Sequence, residues 1–155
     1  SGSNESVTFS NPAEDTWHVL IFGYRSGSGT ITASWDTGSA PTWQYDYSVG
    51  YSSPHNYSNN RTYSYTYTKS GASQVGLHFD RLDTENNYDF VRVYDASGNL
   101  MFEESGNRIS NGTGTAFGST DGWAIVAGDT ITVELVTDYS VTDYGIDVDA
   151  GAWFP

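Results

Sequence analysis

The sequence lacks cysteine altogether and is poor in basic residues, with six lysines and arginines against nineteen aspartates and glutamates in 155 residues. The absence of cysteine excludes disulfide bonds, thiolate metal ligands and a thiol nucleophile. The formal net charge of -13 disfavours contact with a phosphate backbone or an anionic membrane surface. We therefore expect no nucleic acid partner and no membrane partner.

Residues that favour helices are also scarce, since one methionine and few leucines or lysines accompany seventeen glycines and twelve tyrosines. This composition favours short strands and tight turns. Polar and apolar residues alternate repeatedly, for example between Tyr63 and Tyr67 and between Val75 and Phe79, and Phe90–Tyr94 is a further predicted strand. We interpret the tyrosines from Tyr63 to Tyr67 as a face that packs on the core, with a sugar-binding platform as the alternative. Many short strands without a helical period predict an all-β fold, a two-sheet antiparallel β-sandwich of the jelly-roll kind.

Turns and a linker divide the predicted strands. Residues 95–99 and 127–129 have the composition of hairpin turns, and residues 36–41 have that of a linker. We therefore predict N-terminal strands in residues 1–36 and a sandwich domain in residues 37–155. The N-terminal strands either extend the sandwich or form the end of a separate domain.

Sequence motifs of known catalytic sites do not occur in the chain. His18, His55 and His78 lie in unrelated contexts, so we interpret each as a packed or surface histidine rather than a general base. A carboxylate pair for glycoside hydrolysis leaves no sequence signature, because the fold alone sets its spacing. We predict a non-catalytic domain.

Two segments rich in oxygen donors follow predicted strands, at residues 80–89 and 137–143. Ca²⁺ takes six to eight oxygen ligands and commonly recruits them from loops that are distant in sequence. Glu85, Asp89 and Asp138 are the candidate ligands. Solvated turn residues would produce the same pattern in a chain this acidic, so the spacing alone leaves both interpretations open.

The order of these segments resembles that of a CUB domain over about residues 50–150, most specifically in residues 85–95 and 138–146. CUB domains are two-sheet jelly rolls, and some bind Ca²⁺ at a rim. The resemblance implies that a calcium ion is held by Glu85, Asp89, Asp138 and the Ser140 carbonyl, with Tyr57 beside the site as an aromatic residue for ligand contact. It also implies that such an acidic rim receives a lysine from a partner.

Two features depart from the animal CUB pattern: disulfides are missing, and Glu85 lies only four residues before Asp89. Both suggest a prokaryotic relative, and both make Asp83 and Asp143 possible substitute ligands. Residues 1–36 resemble the last strands of the pre-peptidase C-terminal domain of bacterial and archaeal secreted proteases.

These resemblances imply a secreted, monomeric, calcium-binding accessory domain that stabilises a hydrolase, with a protease as the first expectation, or targets it to a substrate. Its partners would be the catalytic domain of that enzyme and a polypeptide or polysaccharide. Two alternatives remain. One is a carbohydrate-binding module that uses Trp43, Tyr45 and Tyr47, and the other is an extracellular protein interaction domain that binds a basic ligand at the calcium rim.

Overall fold

Two antiparallel sheets make up the part of the protein that the structure, a computed structural model, describes: residues 40–155. These residues belong to one compact unit, Gly38–Pro155. The strands are β1 (Gln44–Asp46), β2 (Tyr51–Ser52), β3 (Thr62–Thr68), β4 (Gln74–Asp83), β5 (Phe90–Tyr94), β6 (Leu100–Glu104), β7 (Asn107–Ser110), β8 (Thr113–Gly114), β9 (Trp123–Ala127), β10 (Thr130–Val136) and β11 (Gly145–Phe154). The strands predicted in residues 1–36 lie outside the described residues and stay a prediction.

The first sheet has the strand order β1-β11-β4-β7-β8, with β2 also paired to β11 and β9 also paired to β4. The second sheet has the order β3-β10-β5-β6. The predicted two-sheet jelly-roll sandwich is thereby confirmed. Within residues 40–155, no helix is long and apolar enough to cross a membrane.

Alternating side chains form the core between the sheets. In β10, Ile131, Val133 and Leu135 are buried, and the residues between them are half-buried. Each fully buried aliphatic side chain stabilises the fold by about 1.5–3 kcal/mol. The tyrosines of β3 face the same core, where Tyr67 is buried, so this stripe is a packing face as expected.

The predicted turns had different outcomes. Residues 95–99 do join β5 to β6 as a hairpin, closed by a 3.1 Å hydrogen bond from the amide of Asp95 to the carbonyl of Asn99. The predicted hairpin at residues 127–129 is wrong, because β9 pairs with β4 whereas β10 pairs with β3 and β5. That turn carries the chain from one sheet to the other.

Among the described strands, five further connections also cross between the sheets, and three of them lie at one rim of the sandwich. These three join β2 to β3, β4 to β5 and β10 to β11. Hydrogen bonds from the β2–β3 loop reach the other two. The amide of Tyr57 donates to the carbonyl of Asp143 (3.3 Å), the amide of Asn60 donates to the carbonyl of Asp138 (2.6 Å), and the Tyr57 hydroxyl accepts from the amide of Glu85 (2.9 Å). The three loops therefore meet at one rim of the sandwich.

Candidate metal centre

Three carboxylates from two of these loops converge at the rim. Glu85 and Asp89 lie between β4 and β5, and Asp138 lies between β10 and β11. Each offers one oxygen, and these oxygens lie within 4.8 Å of one another. Asp89 is fully buried, whereas Glu85 and Asp138 are half-buried. The structure thus brings together the three residues that the sequence singles out as candidate ligands.

Asp89 is held by hydrogen bonds to both of its carboxylate oxygens. The Tyr57 hydroxyl donates to Oδ2 (2.6 Å), and the amide of Asp138 donates to Oδ1 (2.6 Å). Burial, followed by the bond to Asp89, raises the pKa of the Tyr57 phenol, so the hydroxyl keeps its proton and acts as the donor. The Asp89 side chain is therefore fixed before any cation arrives.

Glu85 is the least satisfied member of the cluster. Its Oε2 atom is buried and has no hydrogen-bond partner among the described residues. Loss of water around the carboxyl raises its pKa, and the negative charges of Asp138 and Asp89 raise it further. None of the ion pairs within residues 40–155 includes Glu85, Asp89 or Asp138. A cation between these carboxylates would relieve their mutual repulsion.

The loop that carries Asp138 is anchored on both sides. The amide of Ser140 donates to Asp138 Oδ1 (2.8 Å). The buried Thr137 hydroxyl donates to the carbonyl of Ser58 (2.9 Å) and accepts from the amide of Arg61 (2.9 Å). Asp138 therefore has a defined position against the loop that contains Tyr57.

The other predicted site residues have different surroundings. Asp83 forms an ion pair with Arg81 (Nη2 to Oδ2, 3.1 Å) and is outside the carboxylate cluster. Asp143 is also outside it, although its charge contributes to the raised pKa of Glu85. Tyr57, proposed from the sequence as an aromatic for ligand contact, is only 2% exposed. It positions Asp89 and Glu85 from below the rim.

The chemistry of the donor set fits calcium. Carboxylate oxygens are hard donors, and Ca²⁺ at 2.3–2.6 Å from its ligands tolerates the irregular geometry that two loops provide. The buried Oε2 atom of Glu85 has no hydrogen-bond partner among the described residues. A bound cation would provide a partner for it. Glu85, Asp89 and Asp138 would hold the ion, and backbone carbonyls and water would complete its shell.

The aromatic residues proposed for carbohydrate contact lie elsewhere, on and beside β1. Tyr45 and Tyr47 are exposed, and Trp43 is half-buried. Trp123 of β9 approaches Tyr45 edge-on, with ring centroids 5.8 Å apart. Trp123 was not among the residues predicted from the sequence, because no local pattern relates β9 to β1.

Two facing antiparallel sheets of this topology, with an acidic rim, form a CUB-like β-sandwich. Among solved structures, the chain is similar to the CUB1-EGF-CUB2 domain of human MASP-1/3, with a TM-score of 0.53, 17% identity and coverage of 72% of this chain and 41% of that one. It is also similar to the CUB1-EGF-CUB2 domains of rat MASP-1, with a TM-score of 0.50, 18% identity and coverage of 72% and 40%.

At this level of identity the similarity shows the fold. The chain spans about two-fifths of the length of these two structures. No protein-family model matches the sequence, and no curated protein matches it. The expected prokaryotic origin and the resemblance of residues 1–36 to a pre-peptidase C-terminal domain stay predictions.

Proposed function

We propose that this chain is a non-catalytic, calcium-binding accessory domain of a secreted hydrolase, and that the hydrolase is a protease. The observation that carries the metal assignment is the convergence of three carboxylates around a buried Glu85 oxygen without a hydrogen-bond partner. The CUB-like fold supports a module of this class. The domain stabilises its parent enzyme or targets it to a substrate.

Calcium has a structural consequence in this proposal. The ion joins Glu85 and Asp89 on the β4–β5 loop to Asp138 on the β10–β11 loop, so it ties together connections that cross between the two sheets. It also neutralises carboxylates that would repel one another. Both effects stabilise the folded state by mass action, because the unfolded chain has no assembled site.

Two of the histidines that the sequence indicates as packed or surface residues make contacts with neighbouring side chains. The His55 ring stacks on Tyr144 (3.8 Å between centroids), and its Nε2 atom lies 3.1 Å from Asp147 Oδ1. The Nδ1 atom of His78 lies 2.5 Å from Asp149 Oδ1. These contacts fasten each ring to the surface of the first sheet.

Calorimetric titration with CaCl₂ tests the metal assignment. We expect wild-type protein to bind one ion, and Glu85→Gln and Asp138→Asn to weaken binding by at least tenfold. Asp83→Asn is the matched control, because Asp83 lies on the same β4–β5 side but pairs with Arg81. Equal affinity in all four proteins, or no heat of binding in wild type, would contradict the assignment.

The open reading frame that encodes this chain tests the hydrolase assignment separately. We expect a catalytic domain, a protease by preference, in the same polypeptide. An open reading frame that encodes no hydrolase would overturn this part of the proposal. It would not affect the assignment of the calcium site.

A second candidate function is an extracellular interaction domain that binds a basic polypeptide at the rim. The observation in its favour is that the loops of the cluster also carry exposed apolar side chains: Tyr88 is 61% exposed, Tyr139 78% and Val141 56%. Exposed tyrosines around a charged centre are typical of interaction surfaces. Binding of a lysine-rich peptide that requires Ca²⁺ and is lost in Tyr139→Ala would favour this candidate.

A further inference from the structure

A shallow cleft of about 360 Å³ lies on the first sheet, away from the acidic rim, and extends to Phe102 on β6 of the second sheet. Its lining includes Trp43, Tyr45, Ser119, Asp121, Trp123 and Ile125. It is near the Phe154 end of β11, whereas the rim is at the Gly145 end. A strand of ten residues spans about 30 Å, so the cleft and the candidate metal centre are separate sites.

Small residues in the middle of the sheet create the floor of the cleft. The strand register places Tyr45, Ala152, Gly76 and Ile125 opposite one another across β1, β11, β4 and β9. Residues paired in this way project from the same face of a sheet. A Cβ atom at Gly76 would lie 3.0 Å from the Ile125 side chain and 3.4 Å from the Trp123 ring. Because Gly76 and Ala152 have little or no side chain, the large side chains of β1 and β9 on either side can pack close to the surface of the sheet.

Exposed aromatic rings lie in and beside the cleft: Tyr45 lines it, and Tyr47 stacks on Tyr45 next to it. Tyr45 is 51% exposed and Tyr47 79% exposed, and their rings are nearly parallel, with an angle of 15° and centroids 6.2 Å apart. Trp123 supports Tyr45 from the side, and Phe154 packs against Trp43 (5.7 Å). Rings that are already oriented lose little conformational entropy when a ligand stacks on them.

Polar groups at one side of the cleft can accept hydrogen bonds from the hydroxyl groups of a ligand. The Ser119 hydroxyl donates a hydrogen bond to the Asp121 carboxylate, and this bond lowers the pKa of Asp121. Asp121 is thus an ionised acceptor at neutral pH. Among the residues of the 40–155 segment that line the cleft, none is a lysine or an arginine, and the whole chain carries a net charge of -13. An anionic ligand is therefore disfavoured.

We propose that this cleft binds a neutral polysaccharide chain. The rings of Tyr45 and Tyr47 stack on the apolar C–H faces of sugar rings, and Asp121 accepts hydrogen bonds from sugar hydroxyls. The negative charge of the cleft favours neutral polysaccharides over acidic ones, because Asp121 and the acidic surface would repel uronate or sulfate groups. The open, shallow shape suits an extended polymer that lies across the sheet. This site goes beyond the proposed calcium function and does not depend on it.

Retention of the full chain on particles of cellulose, chitin, xylan and starch tests the proposal, followed by calorimetry with a hexasaccharide of the polymer that retains it. We expect retention on at least one polymer, in calcium and in chelator alike. Tyr45→Ala should weaken binding by about tenfold, on the scale of one lost aromatic contact. Tyr47→Ala and Asp121→Asn should also weaken it. Tyr139 at the acidic rim is as exposed as Tyr47, and Tyr139→Ala should bind as wild type does.

Because Tyr45 and Tyr47 are exposed, their alanine variants should fold, and circular dichroism checks this. The proposal is overturned if no polymer retains the wild-type chain, or if Tyr45→Ala is retained as well as wild type. Retention that disappears in chelator also contradicts it, because binding would then depend on the metal rim. Tyr45-dependent binding to casein without binding to any polysaccharide would identify a protein-docking surface instead.

Discussion

The hydroxyl of Tyr57 donates to Asp89 Oδ2 (2.6 Å) and accepts a hydrogen bond from the backbone amide of Glu85 (2.9 Å). One buried phenol therefore fixes both ends of the loop that carries two of the three clustered carboxylates. The same residue is joined through its backbone amide to Asp143 on the β10–β11 loop. Tyr57 thus sets the relative position of all three loops at the rim.

Tyr57→Phe should destabilise the protein because it removes a hydrogen bond to a buried carboxylate and leaves the amide of Glu85 without its acceptor. Hydrogen bonds to charged groups contribute about 1.5–3 kcal/mol, and we expect a loss in this range in urea unfolding. Tyr139→Phe, at a residue that is 78% exposed, should change the free energy of unfolding by less than about 0.5 kcal/mol. Equal stability of Tyr57→Phe and wild type would show that the Tyr57 hydroxyl does not hold the rim.

Calcium should raise the melting midpoint. At a concentration one hundred times the dissociation constant, a ligand that binds only the folded state stabilises it by about 2.7 kcal/mol. For a domain of this size that corresponds to a rise on the order of 10 °C. Differential scanning calorimetry with CaCl₂ and with chelator measures it. The variant Asp89→Asn should lose the rise, and a wild-type midpoint that does not move would remove the metal from the proposal.

Glu85→Gln should weaken calcium binding, but it should raise the melting temperature when calcium is absent. The pKa of Glu85 is raised in the folded state, so the folded protein binds more protons than the unfolded chain does, and stability falls as pH rises through this pKa. In chelator near neutral pH, Glu85→Gln should therefore melt at a higher temperature than wild type. The gain should vanish below the ordinary pKa of glutamate, where both side chains are neutral.

The control for this pH dependence is Glu134→Gln, on β10 and outside the carboxylate cluster, which should show no such gain. Melting curves in chelator across the acidic range check the prediction. A wild-type protein that is more stable than Glu85→Gln at neutral pH without calcium would mean that the ionised carboxylate is not destabilising.

Gly145→Ala should be far more costly than a similar change at an open position. Gly145 has a φ of +107°, and a Cβ atom there would collide with the Ser53 hydroxyl and lie 3.4 Å from the Tyr57 ring. Gly71 also has a positive φ (+83°), but a Cβ atom there meets nothing within 4 Å. Gly71→Ala should cost about 1–2 kcal/mol from backbone strain, and Gly145→Ala about 1–3 kcal/mol more from overpacking. Urea unfolding of both variants compares them, and equal losses would show that the rim can yield at Gly145.

Period-two alternation in the sequence was sufficient to predict most of the sandwich. Phe90–Tyr94 was predicted with the bounds that the structure has, because each of its ends is marked by an acidic turn residue. The strands β7 and β8 were missed, because Asn107–Ser110 and Thr113–Gly114 carry a single buried apolar residue, Ile109, between them. The sheet change at residues 127–129 was missed because turn composition encodes a reversal and not the partner of the next strand.

The candidate ligands could be named from the sequence because the order of the acidic segments resembles that of a CUB domain, whereas their spacing alone is equally typical of solvated turns. The role of Tyr57 as a buried donor could not be predicted, since its hydroxyl finds Asp89 only when two sheets meet. The cleft was still harder to predict, because it joins Trp43 near β1 to Trp123 in β9 across two intervening strands. Such a site depends on sheet order, which local patterns do not contain.

The loop between β4 and β5 links the sheets, but β4 itself is held mainly by its neighbours, with β11 on one side and β7 and β9 on the other. A protease cut between Asn86 and Tyr88, which are both exposed, would break the covalent link and leave every strand intact. The two fragments should then stay associated, with β4 of one inserted between strands of the other. The protein is accordingly a natural candidate for division into two separately expressed halves that reassemble.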